Sequence, residues 1–159
     1  MAEPKPQIRL AQVPRPALIL GCIGLLPFLF GTLGAWASDY PDFILFINLQ
    51  MAYAAIVLSF LSAVHWGLAM AQGEAADWRR LGLPMLPALS GWLALMVPNG
   101  LGLLLLALGF VGIFFIDLRS IAAGQAPSWY KTLRKPLTAI VLTCLAATYG
   151  ALAANLTYA

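Results

Sequence analysis

Charge is what this sequence has least of. Only 9% of its 159 residues are Asp, Glu, Lys or Arg, while 62% are hydrophobic; a soluble globular chain carries about a quarter charged. So few charges cannot cover a surface facing water, which excludes an ordinary soluble domain and leaves lipid as the solvent. Histidine occurs once and cysteine twice. With no Cys-x-x-Cys and no cysteine–histidine cluster, no metal site is expected, and Cys22 and Cys144, each inside an apolar run, read as buried free thiols. A glycine-rich phosphate loop, a nucleophile–base pair at a specific spacing and an intramembrane carboxylate pair are all lacking, so no enzymatic activity is expected. One histidine cannot supply bis-histidine haem ligation, and nothing in the spacing of Met51, Met70, Met85 or Met96 singles out a second ligand. Haem is therefore disfavoured and no cofactor is expected.

What is present is a series of apolar runs. The length suits one domain, with no linker long enough to separate two. Residues 1–16 form a basic arm containing Pro4, Pro6, Pro14 and Pro16, too rich in proline for a long helix and patterned like neither a transit peptide nor a signal peptide. Residues 17–159 read as an all-α polytopic membrane domain, a bundle of five transmembrane helices over about 17–36, 44–71, 81–97, 101–116 and 136–158. In the first span, Gly21, Gly24, Gly31 and Gly34 fall near one face, where small residues admit a neighbouring helix, and Pro27 predicts a bend. Gly102, Gly109 and Gly112 offer the same close approach in the fourth span. The third and fourth spans reach only about 24–26 Å, which fits a tight hairpin across the membrane, with a re-entrant pair as the alternative.

The basic residues sit in the arm and in the loops between spans two and three and between spans four and five; the opposite side carries Asp39 and Asp42 with no Lys or Arg. This is a topology signal rather than a nucleic-acid footprint. It places the N-terminus in the cytoplasm and the C-terminus outside. A bacterial inner membrane is the expected location, ahead of a mitochondrial one.

The candidate functional residues cluster in two places. Ser59, Ser62, His65 and Trp66 lie in the second span, with Ser62 one turn before His65 and within hydrogen-bond reach. Asn48 and Gln50 suit an interface, so the hydrocarbon segment is expected to start near Met51, which puts His65 about 6 Å from its middle. There the ring reads as a neutral group bonded to Ser62, a backbone carbonyl or another helix, as a proton-relay or ligand-contact residue, or as a metal or haem ligand. Asp117, Trp129, Tyr130 and Arg134 fall in the loop between spans four and five and read as interfacial anchors, or as a docking site for lipid headgroups or a partner.

Leu20-Gly21-Cys22-Ile23-Gly24-Leu25-Leu26-Pro27-Phe28, Tyr53 followed by Val57-Leu58-Ser59-Phe60-Leu61-Ser62-Ala63-Val64-His65-Trp66-Gly67, Ser90-Gly91-Trp92, and Trp129-Tyr130 with Leu133-Arg134 and Leu137-Thr138 together resemble the transmembrane protein 69-like family, domain of unknown function 3429. Ser62 stands where glycine is expected in that family. The resemblance implies a multi-span protein of bacterial inner membranes or mitochondria and brings no activity or site residues. Small size, glycine-lined faces and short loops point to an accessory or assembly subunit packed against other membrane subunits, with a respiratory or photosynthetic complex as host. The alternative is a small transporter or proton-conducting protein using His65.

Overall fold

The computed structural model describes residues 13–71 and 78–158. These form seven helices and, among the described residues, no strand: α1 (Arg15–Ile23), α2 (Leu26–Ala37), α3 (Asp42–Ala71), α4 (Trp78–Gly82), α5 (Met85–Ala94), α6 (Asn99–Ala122) and α7 (Ser128–Tyr158). Four stretches are long and apolar enough to cross a bilayer: Arg15–Ala37, Asp42–Ala71, Asn99–Ala122 and Ser128–Asn155.

Two of the chain's passes are broken, and proline sterics place both breaks. A proline ring clashes with the carbonyl four residues before it. For Pro27 that residue is Ile23, the last of α1, and α2 resumes after Gly24 and Leu25. For Pro87 it is Leu83, and the chain turns at Leu83 and Pro84 between α4 and α5. The Tyr53 hydroxyl donates to the Gly24 carbonyl at the first break, 3.1 Å away.

The broken third pass still runs the full length of its neighbour. At one end the Trp66 indole N–H donates to the Leu81 carbonyl at 3.0 Å. At the other, just beyond α5, the Asn99 amide donates to Asn48 Oδ1 at 3.1 Å. Between Asn48 and Trp66, α3 rises about 27 Å. The segment from α4 to Asn99 therefore travels antiparallel to α3 over a membrane thickness, which favours the crossing hairpin over the re-entrant pair. The molecule is an all-α polytopic membrane bundle of five passes.

α3 is its centre, packed on α2, α5 and α6, while α7 closes the bundle against α2 and α6. Phe28, Ile47, Leu58, Leu103, Leu106, Phe110, Ile113 and Leu145 are buried. Phe28 sets its ring edge-on to Tyr53 and Phe110, with centroids 5.3 and 5.8 Å apart. Ile19, Leu20, Leu33, Phe60, Leu108 and Phe115 point outward, so the passes are apolar on both faces, as helices in lipid are. Close packing depends on glycine: a Cβ on Gly31 would come 2.6 Å from Gln50 Cβ, and one on Gly102 would strike Met51 and the Ala94 carbonyl. A Cβ on Gly112 would meet nothing within 4 Å, so the expected close approach there is absent.

The helices overrun the expected spans at one end. α6 continues to Ala122 and α7 begins at Ser128, so the segment expected as a loop from Asp117 to Lys135 is almost all helix. Pro136 lies inside α7 instead of at the start of its span. Only residues 123–127 connect the two helices. Gly124 takes φ +73° as the Gln125 N–H donates to the Ser120 carbonyl at 2.9 Å and the Gly124 N–H to that of Ile121 at 3.1 Å. This is the Schellman ending, which needs a residue free to adopt a left-handed conformation.

Candidate functional site

The tight α6–α7 turn sets the site. Asp117 lies five residues before the end of α6 and Arg134 six residues after the start of α7. Reversal at Gly124 brings the two to the same height on adjacent antiparallel helices. His65 lies six residues before the end of α3 and meets them from a third pass.

All three side chains are buried. The Arg134 Nε–H donates to Asp117 Oδ2 at 2.6 Å. His65 Nε2 lies 2.9 Å from Asp117 Oδ1, and Ser120 Oγ lies 3.3 Å from His65 Nδ1. A carboxylate can only accept, so His65 Nε2 carries a proton and donates to Asp117, while Nδ1 stands within reach of the Ser120 hydroxyl. Each carboxylate oxygen thus has a donor from a different pass, which is what makes a charge tolerable away from water. Tyr130 comes close enough to feel the charge on Asp117 without closing a well-aligned hydrogen bond. Ser62 Oγ, Arg134 Nη2 and Thr138 Oγ1 are buried with no partner among the described residues. Tyr130, Arg134 and Thr138 recur every fourth residue along one face of α7, an arrangement that suits ordered internal water.

Beside this knot, a cavity of about 240 Å³ is lined by His65, Arg79, Arg80, Arg119, Ser120 and Gln125, with Leu68, Ala69, Leu83, Pro84, Ile116 and Ala123 completing the wall. His65 therefore touches both the buried carboxylate and the cavity. Among the described residues no group of three or more His, Cys, Asp or Glu is placed to hold a metal.

Several expectations change. Asp117 and Arg134 are not exposed docking residues; they are an internal ion pair, 1% and 6% exposed. Trp129 and Tyr130 are half-buried on the first turn of α7 and set edge-on to each other, 6.0 Å apart. Of the partners expected for His65, the structure supplies another helix and not Ser62. Along α3 it stands about 13 Å from that helix's midpoint, beside the arginines around the cavity. The reading of Gln50 as an interfacial residue loses its basis. Gln50 is buried inside the bundle, its Nε2 donating to the Phe28 carbonyl at 3.0 Å and to Thr32 Oγ1 at 2.9 Å. Thr32 also accepts from Thr148 at 3.1 Å and donates to the Cys144 carbonyl at 3.2 Å. Ser59 is exposed and donates back to the Ala55 carbonyl of its own helix, while Trp66 fastens the end of α3 to Leu81. Cys144 is buried as expected, but Cys22 faces outward.

Fold and site define a class: a polytopic membrane protein whose buried acid is neutralised between helices. A family model described as "Protein of unknown function (DUF3429)" matches residues 13–150, and the chain belongs to that family. It is 36% identical over 142 residues to Transmembrane protein 69 of Xenopus tropicalis, covering 86% of this chain and 54% of that protein. It is 30% identical over 128 residues to Transmembrane protein 69 of Mus musculus, covering 76% and 50%. The chain spans about half the length of the curated relatives it matches. No solved structure matches.

Proposed function

We propose that this chain is a non-enzymatic accessory or assembly subunit that packs, without a cofactor of its own, against a larger complex of the bacterial inner membrane. The observation that carries the reading is the saturation of Asp117. Both its oxygens are engaged by donors from two other passes, so the one buried acid among the described residues ties helices together and is not left open to a substrate. The polar clusters around Asp117 and Gln50 are separated along α3, α6 and α7 by Leu58, Leu61, Leu106, Phe110, Ile113 and Leu145, all buried, which disfavours a polar path across the bundle. Outward-facing apolar side chains on every pass leave ample surface for lateral packing. A respiratory or photosynthetic assembly is the host class this reading names. The basic arm and loops point to a cytoplasmic N-terminus.

Purification in mild detergent, followed by mass spectrometry of the intact assembly and an absorption spectrum, tests the reading. A stable larger complex supports it; a lone chain or homo-oligomer overturns it. A second reading, proton conduction, is favoured by the contact His65 makes with both Asp117 and the cavity. It requires pH-dependent flux in vesicles that is lost in His65→Ala.

A further inference from the structure

We propose that the cavity between the ends of α3, α4 and α6 is a binding site for a phosphate-bearing anion, either the headgroup of an anionic phospholipid or free phosphate. Three guanidinium-bearing residues, Arg79, Arg80 and Arg119, line a single space of about 240 Å³, and Arg79 and Arg80 also hold interactions of their own. Asp117, two residues before Arg119, is engaged by Arg134 and His65 and is not part of the cavity wall. Arg119 is exposed, with no hydrogen-bond or ion-pair partner of its guanidinium among the described residues. Gln125, Ser120 and His65 complete the polar part of the wall. Guanidinium forks match phosphate oxygens two at a time, and the Gln125 amide adds a further donor.

The rest of the wall is apolar, with Leu68, Leu83, Pro84 and Ile116. A headgroup with its glycerol backbone would meet both halves of such a lining, and free phosphate would use the polar half alone. The same end of the bundle carries Lys131 and Lys135, both exposed and neither part of the cavity. They provide the control that separates a built site from diffuse attraction of a basic surface for anionic lipid.

The full chain in mild detergent is titrated with inorganic phosphate at constant ionic strength, followed by ³¹P line broadening. In parallel it is reconstituted into nanodiscs of phosphatidylcholine alone or mixed with phosphatidylglycerol, and retained lipid is counted by native mass spectrometry. Binding is expected to weaken about tenfold or more in Arg119→Gln and to change little in Lys135→Gln. Loss confined to phosphatidylglycerol assigns the headgroup; loss of phosphate broadening assigns the free anion. The proposal is overturned if the wild type takes up neither. It is equally overturned if Lys135→Gln is as damaging as Arg119→Gln, or if Arg119→Gln, shown folded by its circular dichroism, binds like the wild type. The result is independent of whether the chain purifies in a larger complex.

Discussion

At the scale of single residues, the Asp117–Arg134 pair governs stability. A buried ion pair is weak evidence of net stabilisation, but removing one partner leaves the other charged and uncompensated at a cost of about 3–5 kcal/mol. Arg134→Met is therefore expected to lower the unfolding midpoint in detergent sharply. Asp117→Asn combined with Arg134→Met should recover much of that loss, because neither charge remains. His65→Ala removes one hydrogen bond to a charged group and should cost less, about 1.5–3 kcal/mol. A single Arg134→Met variant as stable as the wild type would show that the pair is not closed in the membrane. His65 was legible in the sequence because a lone imidazole in an apolar run is conspicuous. Asp117 and Arg134 were visible too, but hydropathy assigned them to a loop: a charged residue ends an apolar window whether or not the helix goes on. The missed signal was spatial. Asp117 stands eight residues before Gln125 and Arg134 nine after it, and a helical hairpin closing there, beside Gly124, the one glycine between them, pairs them.

At the scale of helices, glycine position decides packing. Gly102 and Gly112 stand on the same helix and look equivalent in sequence, each read as a close-approach position. They differ in what faces them. Gly102→Val would drive its side chain into Met51 and the Ala94 carbonyl; backbone cannot yield as a flexible side chain does, and a loss of about 1–3 kcal/mol is expected from overpacking. Gly112→Ala meets nothing within 4 Å and should be neutral or stabilising by up to about 1 kcal/mol, the helix-propensity difference. Thermal unfolding of the two variants in the same detergent checks the contrast, and equal effects would place the α5–α6 contact elsewhere. The proline breaks were partly readable: the bend at Pro27 followed from the residue itself, while the division of the third pass into α4 and α5 was hidden because Pro84 and Pro87 compete to place it. Gln50 misled because a polar residue inside a run marks an interface only when no helix supplies it with partners, and Phe28 and Thr32 do.

For the whole molecule, the count of passes and the placement of charge stand or fall together. Asp39 and Asp42 lie at the turn between α2 and α3, whereas Arg15, Arg79, Arg80, Arg119, Lys131, Arg134 and Lys135 all lie toward the opposite end of the bundle. Lys5 and Arg9, which the charge argument also used, fall outside the described residues. Charge placement was readable because bilayer insertion acts on the chain as a linear string: it sorts basic residues by side without regard to which helices later touch. The site was not, because contacts among three passes leave no linear trace. The inferred orientation gives a direct prediction. In a background with Cys22 and Cys144 replaced by alanine, Asp39→Cys should react with a membrane-impermeant maleimide in intact cells. Lys131→Cys should react only after the membrane is opened, because the connection beside it lies at the basic end. If the two sites label from the same side, an odd number of crossings between them is excluded and the third pass does not traverse the bilayer. The reverse pattern would keep all five passes and invert only the orientation, moving the arginine-lined cavity to the outer face.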